Sequence, residues 1–567
     1  MEFLIVNGVT DVFGYQGGMV AHIFDSMGVY RDRVAYHELS TEQGAALAAC
    51  GWAQTTDRLG VVITTSGPGF TNALTGLANA WFDSVPFMLI SGQVNTKDKR
   101  RGYTFRQHGF QEIQSPAMAA PIVKKTYEID ADTDIPLLLD DAYRTAMRGR
   151  KGPVFLDFPI DVERKAVEVA DECPVPVSTE ESEPIDTTPY VERLLAAKRP
   201  LIIAGAGISQ AGVRDEFREL VEILGVPVVT TMSGVDIVPS DSPCHVGYLG
   251  GTARRESGVV LRHADFVFAL GSRLCNKAIG YNHDDFIPEA KSFIRVDVDA
   301  AEFERQLKGC EEVVLADLRA FVPDALGRAR KLAGSYDHSA WSQAVRGVCD
   351  TLAPIDVTFG NEFVAALTAM LPAESSITLD VGNNLVYGVQ SSVVKDDTRV
   401  HLSAGLGAMG YSLPAAIGAS IANGRITCAI MGDGGAQMNI QELNYIAKEH
   451  LPIKVVVLNN RALAHIILFQ EHYLDGRLVA TTEHGGDYHS CNFAALAVAY
   501  GMRSVKVRDA SELIRYKEML LDSEPLLIEV EMELGTVLPN IHGGLDPLTN
   551  GPKLSQDVVD RVKELIN

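Results

Sequence analysis

The sequence contains no uninterrupted apolar run of about 18 residues, the length a helix needs to cross a bilayer, so no membrane-spanning helix is expected. Positive charge is also scarce: 50 Lys+Arg stand against 73 Asp+Glu, for a formal net charge of −23. A surface of that sign repels phosphate backbones and anionic lipid, which argues against a nucleic-acid or membrane partner. Cysteine is sparse and unpaired, with eight residues scattered singly and no C-x-x-C. Neither a disulfide framework nor a zinc site is expected, and the usage suits a reducing cytoplasm. The opening MEFLIVNGVT lacks a basic region before its apolar stretch and a small-residue cleavage site, so a secretory signal is not expected either. Short-period repeats and low-complexity tracts are absent. What remains, 46% hydrophobic and 22% charged over 567 residues, is a globular composition long enough for three or four domains.

Short β-branched runs alternate with longer helical patterns, as βαβ units with buried parallel strands do. In the first block, strands are expected at 61–65, 87–91 and 154–159, with tightly packed helices at 41–54 and 71–82. Residues 166–189, rich in Glu, Pro, Ser and Thr, have little to bury and predict a linker. Strands at 201–204, 226–230, 266–270 and 293–298 form a second block, which a charged helical stretch near 317–332 leads into a second linker near 333–357. A third block carries strands at 377–380, 427–431, 453–459 and 526–530. The expected fold class is α/β, with three doubly wound parallel-sheet domains at 1–165, 190–332 and 358–567.

The strongest local signal follows the strand at 427–431. Gly432-Asp433-Gly434 stands at its carboxyl end, where open α/β sheets bind ligands, and a helix is expected from 437 to 448. Glycines let backbone approach a phosphate, and a helix start offers free amides. The next strand ends in Asn459-Asn460, with Asn460 27 residues after Asp433. A carboxylate plus an amide oxygen is a hard-oxygen donor set suited to Mg²⁺ bridged to phosphate. Either turn alone would be an ordinary polar turn; the pair at matching strand ends is far more specific.

The GDG…NN pair resembles the cofactor motif of thiamine diphosphate (ThDP) enzymes, and the chain is similar along nearly its whole length to their acetolactate synthase-like group. The resemblance rests on GYQGG at 14–18, Glu42-Gln43-Gly44-Ala45, TSGPG at 65–69 followed by Thr71-Asn72, Phe110-Gln111-Glu112, and GLGAMG at 405–410 followed by LPAA at 413–416. It implies that Glu42 hydrogen-bonds the cofactor's pyrimidine and promotes its imino tautomer. The apolar flank Ala45-Ala46-Leu47-Ala48 suits a carboxylate held in a water-poor pocket; a helix-capping role for Glu42 is the plain alternative. It further implies that Met409 is the wedge that bends the cofactor and that the Gly407 carbonyl receives its amino group. Asp433, Asn460 and the main-chain oxygen of Ala462 would hold Mg²⁺. Gly432, Gly434, Gly435, Asn383 and Asn384 would hold the diphosphate, although the group has Gln-His where this chain has the two asparagines. Gln111, from the F-Q-E match, joins the candidate catalytic set. Sites in this family lie between two subunits, so the resemblance implies a homodimer or a dimer of dimers.

The match weakens after Asn460. The chain reads RALAHIILFQ, placing Phe469 where the synthases have a tryptophan and Ala464-His465 where they have Gly-Met. An indole offers bulk and an N–H donor, so its loss alters the acceptor pocket. His465 is either a pocket acid or base or a surface histidine. The segments 271–282 and 475–481 look more like ThDP enzymes of surface-sugar gene clusters. In the middle block GAGISQAG (205–212) has the spacing G-x-G-x-x-x-x-G, which lacks the third glycine of a dinucleotide fingerprint. The resemblance nonetheless implies a non-redox FAD there, with Arg273 and Asp297 as contacts; a surface ion pair is the plain alternative for Arg273. The expected activity is decarboxylation of a 2-oxo acid, pyruvate, with carboligation onto a carbonyl acceptor. The alternatives are acetyl transfer to a nucleotide-linked keto-sugar, simple decarboxylation, and a catalytically silent scaffold.

Overall fold

The computed structural model describes residues 1–100, 102–166, 183–332, 334–483, 485–534, 546–549 and 552–566. Three six-stranded sheets organise them, and every registered pair of strands runs parallel. The first holds β1 (Asp11–Gly14), β2 (Ala35–Glu38), β3 (Gly60–Thr64), β4 (Phe87–Gln93), β5 (Lys125–Glu128) and β6 (Pro153–Pro159), in the order β2-β1-β3-β4-β6-β5. The second holds β7 (Pro200–Ala204), β8 (Val228–Thr231), β9 (His245–Leu249), β10 (Phe266–Leu270), β11 (Ser292–Asp297) and β12 (Glu311–Leu315), in the order β12-β11-β10-β7-β8-β9. The third holds β13 (Ser376–Leu379), β14 (Arg399–Leu402), β15 (Thr427–Gly432), β16 (Ile453–Asn459), β17 (Arg503–Val507) and β18 (Leu526–Glu531), in the order β14-β13-β15-β16-β18-β17.

The first and third sheets thus share one winding order. In each, the chain reverses direction of growth between its first and third strands, which opens a crevice at the carboxyl ends of β1/β3 and of β13/β15. Central strands are buried on both faces, so they read as continuous apolar runs: Val61, Val62 and Ile63 of β3 and Val455, Val456 and Val457 of β16 are all inaccessible or nearly so.

One apolar core runs through the first and third blocks together, and small residues make that possible. The helix Glu42–Thr56 (EQGAALAACGWAQTT) lies against the helix Ser412–Asn423 (SLPAAIGASIAN). A Cβ on Gly418 would stand 1.8 Å from the Ala48 carbonyl oxygen, and one on Gly51 would stand 2.2 Å from that of Ala415. Only hydrogen fits at either contact, so the backbones meet directly.

Two sequence expectations are corrected. The single helix expected at 437–448 is broken: Asp433–Met438 is helical, Asn439 takes φ −135°, and Leu443–Lys448 resumes after a 3₁₀ turn. Asn439 leaves the helix because its side chain donates to the Gly410 carbonyl at 2.7 Å. The second expected linker contains the helix Ser339–Leu352, which buries Trp341, Val345, Val348 and Leu352 on one face. Most of the first expected linker lies outside the described residues, and the helix Thr188–Ala196 begins before that stretch ends.

Candidate active site

Two clusters form at the two crevices. In the first, Thr41 caps the helix that Glu42 opens: its hydroxyl accepts from the Gly44 amide at 3.0 Å. Capping is therefore done by Thr41, and the Glu42 carboxylate is free for another task. It accepts from Asn72 Nδ2 at 3.0 Å. A Cβ on Gly69 would lie 3.3 Å from Glu42 Oε1, and one on Gly67, whose φ is +62°, would lie 3.1 Å from the Gln111 carbonyl. Glu42, Asn72, the TSGPG turn and Gln111 are thus brought together, with Gln111 itself held at φ +64°.

The second cluster surrounds the GDGG turn. Asp433 is 2% exposed, and burial pushes its carboxyl up to about 6 against the opposing pull of the Tyr488 hydroxyl, which donates to Oδ2 at 3.0 Å. The Gly434 amide and Ser490 also hydrogen-bond it, yet burial still outweighs these donors, and a cation would offset that cost. The two asparagines after β16 have separate jobs. Asn459 is consumed by the fold: its amide donates to Glu529 at 2.9 Å, and its oxygen accepts from Ser490 and from the Arg461 amide. Asn460 keeps its side chain nearer free, its oxygen accepting only the Ala462 amide at 3.2 Å. Arg461 adopts φ +56°, and Ala462 is fixed by an antiparallel bridge to Thr482.

The glycines of this turn are demanded by their neighbours. A Cβ on Gly435 would lie 2.5 Å from Asp380 Oδ1, one on Gly432 3.1 Å from Asn384 Oδ1, and one on Gly434 2.6 Å from Leu463 and 3.3 Å from Met409 Cε. Met409 therefore reaches over the turn, as a wedge would. Gly407 stands in the same loop at φ +70° with open space where a Cβ would be. Asn383 Oδ1 pairs with His465 Nδ1 at 3.0 Å, whereas the buried Nδ2 of Asn383 is left only an interaction with the Tyr387 hydroxyl among the described residues. With Asn383 accepting, His465 carries its proton on Nδ1 and presents Nε2 as an acceptor. Partial burial, reinforced by Lys277, pushes that imidazole below its ordinary value. Phe469 lies on the same helix, Ala464–Tyr473, and is 54% exposed.

Sequence reasoning missed two members. Asp380 is completely buried, and its carboxylate accepts from the amides of Val381, Gly410 and Ser412. Its signal was its position, an acid at the carboxyl end of the strand beside the GDG strand. Tyr488 sits in a loop with no motif, and nothing in its sequence context marks it. Among the described residues, the hydrogen bonds of Glu42 and of Asp433 share no partner, while the start of the Glu42 helix touches the segment after the GDGG turn, the Ser40 amide donating to Glu442 at 3.1 Å.

Between the blocks lies a cavity lined in part by Asp83, Gln210, Gly271, Arg273, Lys277 and His401, and a neighbouring one reaches Arg150, Asp297 and Arg319. Arg273 makes no ion pair within 4.0 Å among the described residues, although its charge acts on the Asp83 carboxyl. Asp297, pushed up by burial, accepts from the Asp299 amide at 3.0 Å. Gly205 and Gly207 pack on the Gly271 backbone, where a Cβ would come within 2.2 and 2.7 Å. Those glycines are required for turn-on-turn packing.

Residues 1–118, 188–324 and 380–530 match the family models described as the N-terminal TPP binding domain, the central domain and the C-terminal TPP binding domain of thiamine pyrophosphate enzymes. The chain is 32% identical to the acetolactate synthase large subunit of Lactococcus lactis, over 95% of this chain and 92% of that one. It is 30% identical to the isozyme 2 large subunit of Escherichia coli (95% and 96%). With the chloroplastic acetolactate synthase 1 of Oryza sativa the identity is 33% (95% and 84%).

Proposed function

The chain belongs to the thiamine pyrophosphate enzymes, among the acetolactate synthase-like carboligases, and on that premise we propose that it uses ThDP with Mg²⁺ to decarboxylate pyruvate and join the resulting two-carbon unit to a carbonyl acceptor. When bound, the cofactor supplies an electron sink for the carbanion left by loss of CO₂. The observation that carries the reading is the enclosed Asp433 carboxylate together with the Asn460 side chain, whose oxygen accepts one amide, at the ends of neighbouring strands.

Asp433, Asn460 and the Ala462 carbonyl fit a magnesium donor set of hard oxygens. The buried Asn383 amide and the close-packed Gly432, Gly434 and Gly435 fit a diphosphate. Glu42 holds or yields a proton at the pyrimidine, Met409 fills the space that bends the cofactor, and Gly407 offers its carbonyl. Gln111 orients the donor acid from the turn at Gly67, and His465 Nε2 accepts or returns a proton at the acceptor. Membership of the family implies a homodimer, alone or paired into a dimer of dimers, in which Glu42 of one protomer would serve the metal of the other. Domain boundaries at 1–165, 190–332 and 358–567 and a cytoplasmic location complete the assignment. The inter-domain cavities, with Arg273 lining both and Asp297 lining the second, suit FAD as a structural cofactor.

A second reading, transfer of the acetyl unit to a keto-sugar, draws support from the open His465–Phe469 face, which departs from the synthase pattern. Isotope-labelled pyruvate, offered with a second 2-oxo acid or with a nucleotide-linked keto-sugar, tests both. Labelled carboligation product upholds the proposal and identifies the acceptor. Acetaldehyde alone, with every acceptor ignored, overturns carboligation; no cofactor-dependent CO₂ release overturns the catalytic reading.

A further inference from the structure

The loop between β14 and the helix Ser412–Asn423 carries both Gly407 and Met409, yet it is exposed at its centre: Leu406 is 37% accessible. Two carboxylates from different domains grip its ends. At the first, Asp83, which ends the helix Pro68–Phe82, accepts from Gly405 at 2.8 Å through Oδ1 and from Ala404 at 3.2 Å through Oδ2. The fit is tight, since a Cβ on Gly405 would lie 2.6 Å from the Phe82 Cβ. At the second, Asp380 accepts from Gly410 at 3.0 Å and from Ser412 at 2.9 Å. Asn439 adds a bond to the Gly410 carbonyl at 2.7 Å, and between the ends the hydrogen bond among the described residues is local, the Ser403 hydroxyl accepting from the Ala408 amide at 3.0 Å.

Holding two enclosed carboxylates there is costly. Burial pushes each up to about 6, with backbone amides opposing it at both and Arg273 also opposing it at Asp83. The Tyr411 hydroxyl senses both acids, and the Cys50 thiol senses Asp83. A neutral side chain would terminate a helix or fill a core at lower cost. An acceptor with two strong lone-pair faces is what a pair of consecutive loop amides needs.

Resting on the ThDP reading above, we infer that Asp83 and Asp380 are positioning residues that clamp the Gly405–Gly410 loop from the first and third domains and so fix the height of Met409 over the diphosphate turn. Asp83 also borders the inter-domain cavity, and its carbonyl accepts from Gln210 of the central domain at 2.9 Å. The clamp thus ties the wedge to the place where all three domains meet.

The test uses the full-length enzyme with Asp83→Ala, Asp83→Asn and Asp380→Asn, reading kcat per bound cofactor, KM for pyruvate, ThDP affinity by tryptophan quenching, and the near-ultraviolet circular dichroism of the bound pyrimidine. Asp83→Ala should lose 10- to 100-fold in kcat with KM and ThDP affinity within about threefold, and with an altered dichroic band. Asp83→Asn, which keeps one acceptor, should fall between it and the native enzyme; if the alanine variant does not fold, the two asparagine variants carry the test. A native kcat and dichroic band in folded, cofactor-loaded variants would overturn the clamp. So would a loss confined to thermal stability or ThDP affinity with kcat per bound site unchanged. If the native enzyme neither binds ThDP nor turns over, the functional reading itself fails, which is a different result.

Discussion

Replacing Asp433 by Asn should make the cofactor-free protein more stable at neutral pH while destroying its capacity for cofactor. The carboxyl has an ordinary value of 3.8 and is pushed up to about 6 by burial. At about 1.4 kcal/mol for each tenfold change in proton affinity, keeping it ionised in the folded state costs about 3 kcal/mol. The folded protein binds more protons than the unfolded chain between those two values, so this contribution to stability falls as pH rises through the interval and stays lost above it. Asparagine removes the charge and can still accept from Tyr488, but its amide must find an acceptor, which returns about 1–2 kcal/mol of the gain. The net expectation is +1 to +2 kcal/mol at pH 7.5. For a domain of this size that is a midpoint rise of about 2–8 °C, which vanishes near about pH 5 and changes sign by about pH 4, where the charge cost is gone and the amide's remains. Differential scanning fluorimetry of both proteins stripped of cofactor and metal, from pH 4 to 8, measures it. ThDP with Mg²⁺ should then raise the midpoint of the native protein and leave Asp433→Asn unmoved. A variant less stable than the native apoprotein at pH 7.5, or one still stabilised by the cofactor pair, would refute the idea that this acid is held at a cost for a cation.

Glu42→Gln should lower turnover by at least 100-fold while ThDP affinity, measured by tryptophan quenching, changes by less than threefold, because the amide keeps the shape and the bond to Asn72 but cannot exchange the proton. Gly418→Ala should cost more than 3 kcal/mol, read as loss of soluble protein or a midpoint drop of 8 °C or more, since its methyl would overlap the Ala48 carbonyl at 1.8 Å and neither backbone can retreat. Phe469→Trp should leave CO₂ release from pyruvate within twofold yet change the ratio of kcat/KM between two acceptors by 10-fold or more, the range one side chain commands in a pocket. Product chromatography with paired acceptors checks it.

The buried centre of each sheet was legible because strands covered on both faces must be apolar throughout. The expected strands at 266–270 and 453–459 coincide with β10 and β16 to the residue. Strands nearer the sheet edges were not among those expected: β2, AYHE, and β12, EEVVL, carry charged residues that apolar runs do not reveal. The helix at 339–352 was hidden because a stretch with only four buried apolar side chains resembles polar linker in composition. In the site, residues inside motifs could be named, since glycine spacing records backbone contact. Asp380 and Tyr488 could not. Each acts through a tertiary partner, Gly410 and Ser412 in one case and Asp433 in the other, and neither partner is near in sequence.

On the proposed reading, the helix Ala464–Tyr473 lets an acceptor preference drift while the donor half of the site stays put. Ala464, Ile467 and Gln470 face inward, and Gln470 is locked at both ends of its amide, donating to the Val479 carbonyl and accepting from Thr481. His465, Ile466, Phe469 and Tyr473 occupy the open side, with the Phe469 and Tyr473 rings 4.8 Å apart. Substitutions on that side forfeit little packing, so their effect on folding is small, whereas they stand next to Asn383 and the diphosphate turn through His465. The departures from the synthase pattern, Phe469 and His465, both fall on this inexpensive face. Asp433 is enclosed, and the glycines beside it, Gly432, Gly434 and Gly435, meet neighbours that leave little or no room for a side chain. Divergence in what is accepted, with retention of what activates the donor, is the outcome such a division of burial favours.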